Sequence, residues 1–263
     1  LVLAHRLTGA WSPTVDDYNR IVASEDAETD PGRPYPFFLA HPVDPERPPG
    51  ETLGDAGDWH AEWKWDGIRA QLLHRAEQVV IWSRGEELIT PQFPELEALG
   101  AQLPTGTVLD GEVLAWGAQV LPFAQLQRRL NRRRVGARLR REVPVRFIAW
   151  DLLELGGRDL RTHPLEERRA MLRELVESLE DPAPTLRLSE AVVDAESGGV
   201  SWSELAALRD TARERGVEGL MLKRRGSPYR QGRPRGDWFK WKVDPLRIDA
   251  VLMYAQRGHG RRA

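Results

Sequence analysis

The chain carries 38 basic residues, of which only four are lysine: Lys64, Lys223, Lys240 and Lys242. Arginine does the remaining basic work, which makes the lysines informative. A guanidinium replaces an ammonium on a solvated surface but not as a nucleophile, because it stays protonated and delocalised. The four fall in three short segments: Glu62-Trp63-Lys64-Trp65-Asp66-Gly67-Ile68-Arg69, Glu218-Gly219-Leu220-Met221-Leu222-Lys223 and Trp238-Phe239-Lys240-Trp241-Lys242. In the last, two lysines alternate along an aromatic-rich run, and strand geometry points both amines the same way. Chance scatter or service as salt-bridge partners accounts poorly for that pattern. A free lysine has a pKa of ~10.4, so only about one in a few thousand is unprotonated at neutral pH, and an activated amine needs burial or nearby cations. Arg69, Lys240 and Lys242 are candidates for that field.

Two carboxylates are candidate metal ligands. Glu112 and Glu218 each adjoin a glycine and lie in an apolar run, where an unpartnered carboxylate would be costly. Mg²⁺ prefers such hard oxygen ligands and keeps several waters. The absence of cysteine excludes disulfides, a thiol nucleophile and cysteine-ligated zinc. No Ser-His-Asp or His-Glu-x-x-His pattern is present, and no carboxylate pair has the spacing of an acid/base hydrolase. No stretch approaches the roughly 18 apolar residues of a membrane span, and residues 1–20 lack the parts of a signal peptide, so the expected address is cytoplasmic. The net charge of −2 does not advertise a polyanion binder, but the charge is unevenly distributed. Eight arginines and no acid lie between Arg128 and Arg141, and a second basic stretch runs from Arg224 to Arg235. Both can face a phosphate backbone, though Phe123, Leu126 and Leu130 at helical spacing also fit an amphipathic helix with a solvated basic face.

The elements that must position these residues read as α+β. Strands are predicted over 68–74, 79–83, 107–116, 145–155, 217–223 and 238–243, and helices over 91–103, 122–134, 164–180 and 201–215. Ser201 stands three residues before Glu204, the spacing of a capping box. The irregular interleaving argues for largely antiparallel sheets flanked by helices rather than a doubly wound sheet. Residues 1–23 read as the end of a helical domain, the proline-rich stretch 24–57 as a linker wrapped over a surface, 58–245 as the main domain, and 246–263 as the start of a further, truncated domain.

Lys64-Trp65-Asp66-Gly67-Ile68-Arg69 resembles the Lys-x-Asp-Gly-x-Arg signature of the covalent nucleotidyltransferases, which comprise ATP-dependent DNA ligases, RNA ligases and mRNA capping enzymes. Five further segments follow in that superfamily's order: Ser83-Arg84-Gly85, Asp110-Gly111-Glu112, Trp150-Asp151-Leu152-Leu153, Glu218 to Lys223, and Lys240-Trp241-Lys242. The likeness covers residues 37–244. Phe123-Ala124-Gln125-Leu126-Gln127 and the helical segment upstream are similar to parts of the DNA ligases among them, rather than of capping enzymes.

The resemblance implies an adenylation domain using ATP and Mg²⁺ on nicked duplex DNA. Lys64 would take AMP through a phosphoramidate, with Asp66, Lys240 and Lys242 as its catalytic neighbours. Glu62 would read the adenine amino group, Trp150 stack on the base, and Arg84 hold ribose or the AMP phosphate. Trp63, Arg69 and Lys223 would complete the nucleotide site. Glu112 would serve ribose or metal and Glu218 the metal, while Gly67 fits a tight turn that lets a phosphate approach the backbone. A monomer is expected. The final run resembles the first strand of an OB-fold domain, which in this family supplies the last motif for the first chemical step, so slow or incomplete self-adenylation is expected. An RNA ligase, a GTP-dependent capping-type enzyme and a noncatalytic nucleic-acid-binding module are the alternatives. An NAD-dependent ligase is disfavoured by the lack of its cysteine zinc site.

Overall fold

The computed structural model describes residues 14–15, 32–179, 185–193, 200–244, 251 and 253–254. The expected helical remnant and the expected OB-fold strand lie almost wholly outside these residues. The strands are β1 (His41–Pro42), β2 (Trp59–Trp63), β3 (Ile68–Arg75), β4 (Gln78–Ser83), β5 (Thr107–Ala115), β6 (Val145–Leu155), β7 (Arg158–Asp159), β8 (Leu186–Leu188), β9 (Gly219–Arg224) and β10 (Trp238–Lys242). The helices are α1 (Pro49–Leu53), α2 (Pro94–Gly100), α3 (Phe123–Leu130), α4 (Ala137–Glu142), α5 (Leu165–Glu177) and α6 (Trp202–Asp210).

They build two sheets. The first has the order β1-β10-β9-β2, antiparallel except for the short β1–β10 pairing. The second runs β4-β3-β5-β6-β7 in antiparallel succession, with β8 alongside β6 in parallel. The outer face of the first sheet packs Trp59, Ala61, Leu220 and Leu222 against Leu53 of α1 and Leu205 of α6. The outer face of the second buries Leu72, Leu109, Val113 and Phe147 against α2, α3 and α5 through Leu96, Leu126 and Leu172. Between the sheets Phe38, Leu73, Val108, Trp150, Leu153, Tyr229 and Trp238 form a third cluster, richer in aromatics. The α+β expectation holds, and the reason is visible in β5: all nine of its residues are buried because it is covered on both faces.

Three stretches depart most from the sequence reading. The span 122–134 ends as a helix at Leu130, and a separate α4 follows. Arg129 is not on a solvated face: it is fully buried, bonded to Glu95 and to the carbonyls of Gln92 and Arg140. The helix predicted over 201–215 starts with the expected capping box and stops at Asp210, before Gly216 in the left-handed region. The stretch read as a linker packs against the sheets from Tyr35 onward. Phe38 is fully buried, Tyr35 donates to Glu154, and His41–Pro42 adds a strand to the first sheet.

Candidate active site

Strand parity brings the chemistry together. In the first sheet, His60 stands opposite Lys223 and Lys223 opposite Trp238, while Glu62 stands opposite Met221 and Met221 opposite Lys240. All of these side chains therefore share the inner face. Lys64 extends the same alternation just beyond β2. Its amide donates to the Gly219 carbonyl (2.8 Å) and its carbonyl accepts from the Glu218 amide (2.8 Å), so the ladder continues through it. Gly219 has φ +136°, and a side chain there would run into the Trp241 carbonyl. From the second sheet, Arg69 and Glu112 are cross-strand partners. Trp150 has no partner on β5, because the register slips between Asp110, opposite Asp151, and Gly111, opposite Ala149. That bulge leaves the indole among the inter-sheet aromatics.

The result is a cleft of about 420 Å³ between the sheets. Every candidate lines it: Glu62, Trp63, Lys64, Asp66, Arg69, Arg84, Glu112, Trp150, Glu218, Lys223, Lys240 and Lys242. Their local settings differ. Lys64 Nζ is ion-paired with Glu218 Oε2, and Lys242 Nζ lies 2.9 Å from the same oxygen. Burial pushes the Glu218 carboxyl up, but the two lysines outweigh it and hold it below the usual carboxylate range. Lys240 is lowered by burial and by Arg233, Lys242 and Lys64. Asp66 and Arg84 are exposed.

At the other end, Glu62 is fully buried and ion-paired with Lys223, with Arg169 Nη1 at 3.4 Å and His60 Nε2 at 3.7 Å. Burial alone would raise the Glu62 carboxyl; Lys223, His60 and Arg169 reverse the shift and hold it ionised. His60 is lowered to about 4 by burial and by Arg169, so it is neutral. The Lys223 ammonium sits 4.9 Å from the Trp150 ring centroid and 4.5 Å from that of Trp238.

Three readings are sharpened. Gly67 is outside the left-handed region, so a tight turn is not its reason. A side chain would strike the Val113 carbonyl, and the Gly67 amide donates to Glu112 Oε1 at 3.2 Å, so the glycine lets the Lys64 loop lie against β5. Arg69 is less a source of field at Lys64 than a clamp. It donates to both Asp110 oxygens (3.2 and 2.7 Å) and to the Phe38 carbonyl (2.6 Å), and Tyr229 donates to the same Asp110 (2.7 Å). Trp63 has its ring on the outer face of the sheet, 5.0 Å from Arg215. Sequence reasoning missed Met221, which faces the cleft by the same parity as Lys223, and His60, Arg169 and Tyr229, whose roles depend on partners far along the chain.

Glu112 is pushed up to about 8 by burial, which Lys64 and Arg69 counter only in part. A divalent cation would supply the missing compensation, and Glu112 and Glu218 are two hard oxygen donors in one cleft. No cluster of three or more histidine or acidic side chains that could hold a metal occurs among the described residues. The donor set therefore fits Mg²⁺ shared with a phosphate ligand rather than a self-contained protein cage.

A lysine in a cation-lined cleft between antiparallel sheets is the arrangement expected of a nucleotidyltransferase domain. Residues 38–242 match the ATP dependent DNA ligase domain, and the chain belongs to that family. It is 37% identical over 245 residues to a probable DNA ligase of Koribacter versatilis, covering 88% of this chain and 42% of that protein. It is 33% identical over 260 residues to the DNA ligase of Halobacterium salinarum, covering 94% and 44%. The chain thus spans less than half the length of these two curated relatives. Among solved structures it resembles mycobacterial DNA ligase D complexed with ATP and MES, with TM-score 0.59, 30% identity, and 79% and 60% of the two chains covered. The ATP-dependent DNA ligase of bacteriophage T7 shares the fold at 21% identity and TM-score 0.59, over 79% and 68% of the two chains.

Proposed function

We propose that this chain is the nucleotide-transferring core of an ATP-dependent DNA ligase, with Lys64 as the residue that carries AMP. The observation that carries the reading is that all four lysines of the chain face one cleft, beside a buried, ionised Glu62. The Lys64 amine attacks the α-phosphorus of ATP, a P–N bond forms, the bond to the bridging oxygen breaks, and pyrophosphate leaves. A 5′-phosphate oxygen of nicked duplex DNA then attacks the same phosphorus and frees the amine. The adjacent 3′-hydroxyl displaces AMP and closes the strand.

The structure's residues suit the first step. The Lys64 amine must leave its pair with Glu218 before attack; Lys242, on the same oxygen, keeps the carboxylate matched when it does. Lys240 and Lys242 line the same cleft and would stabilise negative charge developing on the leaving group, a preorganised effect typically worth several kcal/mol. Mg²⁺ held by Glu112, Glu218 and the triphosphate would neutralise phosphate charge.

Glu62 also favours ATP over GTP. A carboxylate accepts a hydrogen bond from the 6-amino group of adenine and repels the 6-oxo group of guanine. Trp150 lines the cleft as a flat face for the base. For DNA, the relevant surface is the run Arg132, Arg133, Arg134, Arg140 and Arg141, exposed and without an ion pair among the described residues. Such free guanidiniums suit backbone phosphates. No described helix is long and apolar enough to cross a membrane. A monomer acting in the cytoplasm completes the proposal. Separate incubation with α-labelled ATP and α-labelled GTP tests it: label should enter from ATP, and selective labelling by GTP would replace the ligase reading with a capping-type one.

A further inference from the structure

Glu62 and Trp150 belong to different sheets, yet one side chain of a third element binds both. Arg169 of α5 is buried, and its Nη1 donates to the Trp150 carbonyl at 3.0 Å and to Glu62 Oε2 at 3.4 Å. Its Nη2 donates to the Ser189 carbonyl at 2.5 Å, and the Ser189 amide in turn donates to the Ala149 carbonyl at 2.7 Å. A single planar guanidinium thus fixes a carboxylate on the first sheet relative to the backbone of the bulge on the second. Lys223 also touches both residues, through an ion pair and a ring contact, but an ammonium imposes no such planar geometry. The charge requirement of Glu62 is already met by Lys223; what Arg169 adds is direction.

We propose that Arg169 is a positioning residue for purine recognition: by holding Glu62 and Trp150 in register it sets the preference for a 6-amino purine. The proposal rests on the reading of those two residues as the edge and face contacts of the base. A site whose hydrogen-bonding group is held firmly discriminates strongly against a ligand lacking the partner group, and one whose group is loose does not.

The outer side of Arg169 suggests the test. Together with His60, Arg173 and Ala191 it lines a second cavity of about 250 Å³, separate from the cleft, through which a small cation can reach the position of its guanidinium. Affinities for ATP and for purine riboside triphosphate, which lacks the 6-amino group, would be measured by titration on the full 263-residue chain and on Arg169→Ala and Arg169→Lys, with melting curves taken without nucleotide. In Arg169→Ala, ATP should bind at least about tenfold more weakly and purine riboside triphosphate less than about threefold, so the preference collapses. Millimolar guanidinium should restore part of it. Arg169→Lys should keep the fold and lose most of the preference, which carries the test if the alanine variant does not fold. A folded variant with an unchanged preference, or equal weakening for both nucleotides without rescue, would overturn the proposal. Failure of the parent chain to bind ATP would instead overturn the nucleotide reading beneath it.

Discussion

The two ends of the cleft are built on opposite principles. At the end proposed to read the base, Glu62, Lys223, Arg169 and His60 are all buried, and two cations press on the carboxylate. At the end proposed to hold the phosphates, Lys64, Glu218 and Lys242 are partly exposed, and two lysines share one carboxylate oxygen. Breaking a buried pair from one side typically costs ~3–5 kcal/mol, because a charge is stranded in low dielectric, whereas exposed pairs are worth ~0–1 kcal/mol. The difference matches what the proposed function asks of each end. Recognition of a base calls for groups that do not move, and transfer of a nucleotide calls for an amine that can leave its partner.

The largest expected effect tests the rigid end. Glu62→Ala strands Lys223 and Arg169 in the interior, so denaturant unfolding should show a loss of about 3–5 kcal/mol. A loss under ~1 kcal/mol would mean that the network is not a buried ionic cluster. Next, Glu218→Gln should leave the unfolding free energy within about 1 kcal/mol of the parent while slowing nucleotide transfer to Lys64 by ~100-fold, roughly 2.7 kcal/mol of barrier. An equal loss in both measurements would erase the contrast between the ends.

A smaller effect should appear in the pH dependence. The Glu112 carboxyl lies at about 8 when folded, against 4.5 for the ordinary group, so the folded protein binds the extra proton. Stability from this source is full below 4.5 and is lost as pH rises toward 8. His60, at about 4 when folded and 6.5 ordinarily, acts oppositely and adds stability as pH rises through that interval. Between pH 6.5 and 8 only the Glu112 effect remains of these two. Glu112→Gln should therefore gain stability relative to the parent across that range, and a constant offset would contradict the assignment. Smallest of all, Lys242→Ala should change stability by no more than ~1 kcal/mol, since its pair with Glu218 is half exposed.

Much of the site was legible because its motifs fall on strands, and alternation alone decides which side chains share a face. Lys240 and Lys242 could be paired without knowing the fold, whereas Glu218, five residues before Lys223, has the opposite parity and reaches the cleft only through the irregular backbone at Gly219. What escaped the sequence needed long-range partners. Arg169 reads as one charge on a helix with the pattern Glu-Glu-Arg-Arg, and nothing nearby says that it ends against Glu62. Trp59–Trp63 was not read as a strand, because both faces are covered and the polar His60 and Glu62 blur its apolar run. Asp110 sits in a motif that drew attention to Glu112, yet its own task is to hold Arg69 with Tyr229. The prolines before Gly57 mask the buried Phe38, whose carbonyl takes an Arg69 hydrogen bond.

The central claim is that Lys64 is the amine that receives the nucleotide. Intact mass spectrometry after incubation with ATP and Mg²⁺ tests it directly. One AMP should be added to the parent chain and none to Lys64→Ala. An AMP adduct on the alanine variant, or on a different residue of the parent, would contradict the account.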